Sequence, residues 1–338
     1  MRRLAVRIGQ YALVLWVATT LNFLLPHLAP GDPIEYLFAG ETVALDQKAL
    51  ATLRGQYGLD GSLAEQYVAQ WRDLVRGDLG TSVLHNRPVA AVVADRVPWT
   101  LALVGVAAFA STLIGTLAGV AAAWRRGSRR DVGAVSAMLA VDALPSFWIG
   151  MILIAVFAVE LGWFPSFGAV AVGSGGAGAA WLEVARRLVL PATTIALATV
   201  GGAFLLARAA MLATVDEPYV LMAEAKGVSR RGVVYRHALR NALLPIYTHL
   251  GLEVGALLSG AVVVETVFAY PGLGRLIYDA VIARDYPLLQ GAFLLTTVGV
   301  VAANLAVDLT YPLLDPRSRA PRPHRVSRRP AGVLEGTG

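Results

Sequence analysis

AEAKGVSRRGVVYRHALRNALLP, residues 223–245, sets five basic side chains (Lys226, Arg230, Arg231, Arg236 and Arg240) into a helix-compatible stretch between two long apolar runs. A segment buried in hydrocarbon cannot carry that charge density, because each Lys or Arg at the membrane centre costs about 2.5–3.5 kcal/mol on insertion scales. Such a stretch belongs at a membrane surface, provided that the runs beside it cross the bilayer.

The rest of the chain supplies those runs. Of 338 residues, 56% are hydrophobic and only 15% are charged, a strained composition for a soluble globular protein. The charges are also segregated. Residues 8–31, 97–124, 188–207 and 286–307 contain no Asp, Glu, Lys or Arg; residues 132–159 contain only Asp142, and 241–264 only Glu253. Each run is long enough for ~30 Å of hydrocarbon at ~1.5 Å per residue. The expected fold class is therefore an all-α integral membrane protein with six transmembrane helices.

Orientation follows from arginine. Arg2, Arg3 and Arg7 precede the first run; Arg125, Arg126, Arg129 and Arg130 link runs two and three. The quoted stretch links runs four and five, and Arg317, Arg319, Arg322, Arg325, Arg328 and Arg329 follow run six. With an even number of spans all four segments share one side, which the positive-inside rule makes the cytoplasm, with both termini there. Residues 31–96 hold nine acidic and six basic side chains and fall outside. The net charge of +6 thus reflects topology and not a nucleic-acid partner. The first apolar run is about twice the usual length of a signal-peptide core and lacks an A-x-A site, so it reads as an uncleaved helix.

These boundaries divide the chain into an N-terminus with helix 1 (1–30), an extracytoplasmic segment (31–97), helices 2–6 (98–315) and a Pro- and Arg-rich disordered tail (316–338). Within the second, Ser62 and Glu65 form a capping-box pattern, followed by Leu63, Tyr67, Trp71, Leu74 and Val75 at helical spacing, which predicts a small helical domain. The Gly-rich residues 172–180 read as a flexible outer loop.

Several chemistries are excluded. The two lysines, Lys48 and Lys226, are not preceded by glycine, so there is no Walker A loop; HExxH and G-x-S-x-G are missing, and there is no cysteine for disulfides or thiol chemistry. The histidines His27, His85, His237, His249 and His324 are scattered and read as capping, interfacial or tail residues, leaving no metal site and no cofactor. The chain is not an enzyme, and a transporter driven by ATP would borrow its ATPase.

The opening stretch then reads as two helices. Asp216, Glu217 and Pro218 mark a helix start; Ala223 and Gly227 fall on one face, small enough for close approach by another backbone; Gly227 ends the helix and a second starts near Ser229. That shape suits docking into a partner's groove or anchoring by anionic lipid, and the residues alone leave both open.

The stretch resembles the coupling loop of ABC importer permeases, specifically the oligopeptide/dipeptide/nickel branch with its A-x-A-K-G and R-H-A-L-R-N-A-L-L-P. The same branch is matched in order by LAPGDP (28–33), LVRGDLGTSV (74–83), LPSFWIG (144–150), VFAYPGLGRL (267–276), ARDYPLLQG (283–291) and DLTYPLLDPR (308–317). Together these cover nearly the whole chain and are similar to the first of the branch's two permeases. The resemblance implies a type I ABC importer fold in a bacterial inner membrane. It implies a heterodimer with a second permease, two cytoplasmic ATPases bound to the loops of the two permeases (at about 216–243 in this chain), and a substrate-binding protein outside. It carries the coupling role to Leu221, Ala223, Glu224, Ala225, Lys226, Gly227, Arg230, Arg236, His237 and Arg240. Two of these depart from the general importer pattern, since Leu221 stands at the position of the named Glu and Arg240 where many importers have proline. Peptides are the default cargo, with nickel chelates and oligosaccharides as related cargoes.

Asp142 and Glu253 lie about ten residues inside their runs, where a carboxylate needs a partner or a water-filled cavity. They read either as translocation-path contacts, for a peptide amino terminus or a cation, or as structural hydrogen-bonding groups. Asn304 and Asp308 read as structural, and Pro145 is expected to kink span three. Two other classes compete with the importer: a secondary transporter with Asp142 and Glu253 as a proton relay, and a non-transporting scaffold. Neither needs a docking surface at 223–245.

Overall fold

The computed structural model describes residues 2–28, 61–169 and 177–314. Residues 29–60, most of the LAPGDP motif, most of the Gly-rich segment and the tail from 315 lie outside the described residues.

The described chain is helical apart from one two-residue hairpin. Helix α1 (Arg2–Leu28) is followed by α2 (Leu63–Val75), strands β1 (Thr81–Ser82) and β2 (Arg87–Pro88), and α3 (Val89–Ala123). Next come α4 (Arg129–Asp142), α5 (Ser146–Glu160), α6 (Ala177–Val215) and α7 (Pro218–Ala225). The chain continues through α8 (Arg230–Gly260), α9 (Val262–Val267), α10 (Leu273–Ile282) and α11 (Tyr286–Leu314). Among the described residues, α3, α6, α8 and α11 are long and apolar enough to cross a membrane, and α4 with α5 makes five if that bent pair is one span.

That pair departs from the expectation. Pro145 does not kink a continuous span; α4 ends at Asp142, α5 begins at Ser146, and the two axes differ by 94°. Proline has no N–H to donate and disfavours helical backbone at the residue before it, so the helix stops short and restarts. Pro145 itself sits at φ −59, ψ 136 as the residue that leads into α5. The second half of α5, Ile154–Glu160, is wound as π-helix.

The capping box at α2 forms as the spacing predicts. The Ser62 hydroxyl accepts from Glu65 N, and Glu65 Oε2 accepts from Ser62 N at 2.8 Å. Those bonds hold the Glu65 carboxyl below its ordinary range, the Ser62 backbone N–H contributing most. Tyr67 ties α2 to α1 through a 2.8 Å hydrogen bond with Thr20 and an edge contact with Phe23.

The bundle is built on α3 against α6. Gly115 and Gly119, four apart on α3, bring the two backbones together; a methyl on Gly119 would lie 2.6 Å from Phe204 O and 2.9 Å from Arg208 N. Small residues at this spacing are how helices approach closely in lipid, where the hydrophobic effect gives no drive to associate. Gly119→Ala is expected to destabilise by about 1–3 kcal/mol, since backbone atoms cannot step aside, read as a fall in detergent thermal stability. Between α8 and α11, Gly251 makes room for the Val307 side chain.

Two buried carboxylates organise the end of the bundle away from the arginine-rich segments. Asp285, fully buried, accepts from Ser82 Oγ (2.6 Å), Leu84 N (2.9 Å) and Leu288 N (3.1 Å). It therefore caps α11 and fastens the segment 74–83 to the segment 283–291. Glu265, also fully buried, accepts from Thr100 Oγ1 of α3 (2.7 Å) and from Arg275 N at the start of α10 (3.0 Å). A carboxylate at a helix N-terminus meets unpaired N–H groups and the positive end of the dipole.

Candidate functional site

The quoted stretch folds as a short helix, a left-handed turn and the start of a long helix. Glu217, and not Asp216, is the residue at which α7 begins, with Pro218 in its first turn, where the missing N–H costs nothing. At the far end Gly227 N donates to Glu224 O and Val228 N to Ala223 O, with Gly227 at φ +76. This is the Schellman arrangement, and a side chain at that φ costs about 1–2 kcal/mol. Ser229 then caps α8 through Gly232 N. Residues 233–238 run as π-helix before α8 becomes regular, a feature that no spacing in the sequence announces.

One face of this element is buried in the chain's own core. Val220, Ala223, Val233, Val234 and Ala238 pack against Val120 and Met211, the ends of α3 and α6. Ala223 and Gly227 do not share one face: Ala223 is 5% exposed and packed in the chain's own core, whereas nothing lies within 4 Å of a methyl placed on Gly227. The helical repeat does not carry across the turn, because the Schellman geometry redirects the chain between them. The outward face carries Leu221 (52% exposed), Met222, Glu224, Ala225, Lys226, Arg230, Tyr235, Arg236 and Arg240, with His237 half-buried. The Arg230 guanidinium lies 5.4 Å from the centre of the Trp124 ring, and Tyr219 Oη accepts from Asn241 Nδ2.

Behind this element sits an ion pair that the sequence did not reveal. Arg208 Nε and Nη2 donate to Asp131 Oδ1 and Oδ2, both at 2.8 Å, and Gly127 N donates to Asp131 Oδ2 at 3.0 Å. The fork joins α4 to α6 one turn beyond the close contact at Gly119.

Farther along the helices, Asp142 and His249 lie against two neighbouring glycines of α6. A methyl on Gly201 would meet Asp142 Oδ1 at 2.9 Å, and one on Gly202 would approach His249 Nε2 to 3.8 Å. Asp142 is exposed, at the C-terminal end of α4, where the α4–α5 pair bends. Glu253 is buried; its Oε1 accepts from Ser111 Oγ on α3 at 3.0 Å, while Oε2 has no hydrogen-bond partner. His249 Nε2 is 3.8 Å from that free oxygen. The i, i+4 spacing of His249 and Glu253 is the trace of this pair in the sequence. Asn304 packs beside Gly255, and Asp308 Oδ2 accepts from Tyr11 Oη at 2.9 Å. No group of three or more metal-ligating side chains occurs among the described residues.

Comparison with known proteins places this arrangement. Residues 115–320 match the family of binding-protein-dependent transport system inner membrane components. The chain is 40% identical over 315 residues to a peptide transport system permease protein of Brucella abortus (strain 2308), covering 93% of this chain and 97% of the relative. It is 38% identical over 335 residues to the di/tripeptide transport system permease protein DppB of Pseudomonas aeruginosa (strain UCBPP-PA14), with 94% and 99% covered. It is 38% identical over 308 residues to the glutathione transport system permease protein GsiC of Escherichia coli (strain K12), with 90% and 94% covered. A chain that carries no nucleotide-binding motif, is built of membrane-length helices and matches this family over more than half its length belongs to the binding-protein-dependent transport system inner membrane components, the membrane permeases of ABC importers.

Proposed function

We propose that this chain is one half of a heterodimeric pore through which an ATP-driven importer takes up di- or oligopeptides. The second half is another permease. Two ATPase subunits dock on the pair, on the loop at about 216–243 of this chain and on the corresponding loop of the second permease, and a substrate-binding protein delivers cargo at the opposite face. Six spans result when α1 and the α4–α5 pair join the four long helices. The arginine distribution puts both termini and the α7–α8 element on the cytoplasmic side of a bacterial inner membrane. The names of the relatives favour peptides over nickel chelates or oligosaccharides.

The observation that carries the coupling role is the two-faced build of the α7–Gly227–α8 element. Its inner face is locked into the ends of α3 and α6, so a push on the outer face is passed to the long helices and not absorbed by a loose loop. Closure of the ATPases on ATP would move this element as a unit and bias the pore between its two arrangements; the bias available is the differential affinity of the ATPases for those states.

The test is co-purification of the ATPases with this chain expressed beside its partner permease. Leu221→Asp changes an exposed side chain and is expected to cut ATPase recovery at least tenfold with thermal stability unchanged. Gly227→Val, which strains the turn, is expected to cut recovery and also lower stability by about 1–2 kcal/mol. Full ATPase recovery with both variants would remove the docking role from this element.

A further inference from the structure

We propose that Glu253, reached past His249 where that imidazole lies beside Gly202 of α6, forms a subsite for the ammonium group of a cargo molecule partway along the pore, with Asp142 at the neighbouring Gly201. This deepens the importer reading and rests on it. Ser111 lies 12 residues before the end of α3 and Gly201 14 before the end of α6. At ~1.5 Å per residue both are about 18–21 Å in from the arginine-rich end, well inside a ~30 Å hydrocarbon layer.

The chemistry of the site is lopsided in a way that names its ligand. Glu253 is more than nine-tenths buried, and one of its oxygens is satisfied by Ser111. The other has no partner, although its surface is closed to solvent. A buried unpaired acceptor is costly, and a purely structural bridge between α3 and α8 would need only the first oxygen. His249 Nε2 stands 3.8 Å from the unpaired oxygen, beyond hydrogen-bond distance, and the His249 side chain is 32% exposed. The free oxygen therefore lies behind an imidazole that can turn aside. Asp142 adds a second carboxylate next to the same stretch of α6, exposed in this chain. Gly201 and Gly202 keep that wall free of side chains; a methyl at Gly201 would strike the Asp142 carboxyl. An unpaired buried acceptor behind His249, with a second carboxylate at the neighbouring bare stretch of α6, suits a compact cation with several N–H donors, which a primary ammonium is. A carboxylate or phosphate group is repelled at the same place.

The test uses trialanine as the probe on the full-length chain assembled with its partner subunits in nanodiscs. Zero-length carbodiimide coupling joins a carboxyl to an amine only where the two touch, and mass spectrometry locates the adduct. The expected result is a trialanine adduct on Glu253 or Asp142, suppressed at least tenfold by excess unlabelled trialanine and unchanged by excess N-acetyl-trialanine. No adduct on either residue, or equal suppression by the acetylated peptide, overturns the subsite. A second arm reads ATP-driven uptake. Glu253→Gln is expected to lower trialanine uptake at least tenfold with ATPase recovery within twofold of wild type, whereas Ser111→Ala, which removes only the interhelical bond, changes uptake less than twofold. Equal losses for the two variants assign Glu253 a structural role and overturn the proposal. Failure of the importer reading is visible separately, as absence of ATP-driven uptake by the wild-type assembly, and leaves the coupling arm to decide the subsite.

Discussion

Asp131→Ala will destabilise this chain by about 3–5 kcal/mol, the usual cost of removing one partner from a buried ion pair. The Asp131 side chain is 3% exposed, and its two oxygens take both arms of the Arg208 fork as well as Gly127 N. Without it the guanidinium stays beside the closest approach of α3 and α6, charged and unpaired, and the turn at Gly127 loses its anchor. Arg208→Met is expected to cost at least as much as Asp131→Ala, because it leaves a carboxylate that is 3% exposed without its fork, whereas the guanidinium left by Asp131→Ala is 24% exposed and reaches water. The double variant Asp131→Ala/Arg208→Met should recover much of the loss, since an apolar pair of similar volume is often as stable as the ion pair it replaces. Thermal unfolding in detergent measures all three. If the double variant is as unstable as the two single changes summed, the residues are not coupled and the bidentate geometry contributes nothing beyond each side chain's own packing. The position gives the pair a second readout. It lies between the α7–α8 element and the break at residues 143–145, so the stabilised double variant is expected to fold yet transport poorly if rigidity at this joint is what carries motion inward.

The membrane-facing part of the fold was legible because lipid imposes it. Long runs with at most one charge have only one stable form in hydrocarbon, and the runs at 97–124, 188–207, 241–264 and 286–307 make up much of α3, α6, α8 and α11. Local capping was legible for the same kind of reason: Ser62 with Glu65, and Gly227 with Ser229, act over three or four residues and need no tertiary context. What the pattern could not show is long-range pairing. Asp131 and Arg208 are 77 positions apart, and Ser82 and Asp285 are 203 apart. Either acid alone reads as an ordinary loop or cap residue. The turn backbone was hidden as well. Ala269 (φ 50) and Arg284 (φ 51) occupy the left-handed positions that a glycine would have advertised. Each is followed by a buried residue, Tyr270 or Asp285, whose burial holds the strained turn in place. The π-helical residues 233–238 left no trace either, since the apolar positions of the quoted stretch fit a regular helix equally well.

The tight turn between α9 and α10 will separate two glycines that look alike in sequence. A methyl on Gly272 would lie 2.1 Å from Glu265 Oε1, and its nearest neighbours all belong to the Glu265 carboxyl. A methyl on Gly274 would lie 2.6 Å from the Cα of Val262, which is backbone. Both Gly272→Ala and Gly274→Ala are expected to cost about 3 kcal/mol, the upper end for overpacking. Glu265→Ala alone is expected to cost about 1–3 kcal/mol, because it leaves Thr100 and the first N–H groups of α10 unpaired in a buried site. The double variants then diverge. Glu265→Ala removes the group that Gly272→Ala strikes, so that pair should be no less stable than Glu265→Ala by itself. It does nothing about Val262, so Gly274→Ala should remain as damaging in the Glu265→Ala background as in wild type. Thr100 provides an independent check. Its hydroxyl donates to Glu265 and accepts from Leu273 N at 2.7 Å, so Thr100→Val is expected to lose about as much as Glu265→Ala and to add little to it. Additive losses for that pair would mean that Thr100 and Glu265 hold α10 separately. Non-additive losses make them one unit, in which a buried carboxylate on α9 and a hydroxyl on α3 together fix where α10 begins and so the angle at which the chain enters α11.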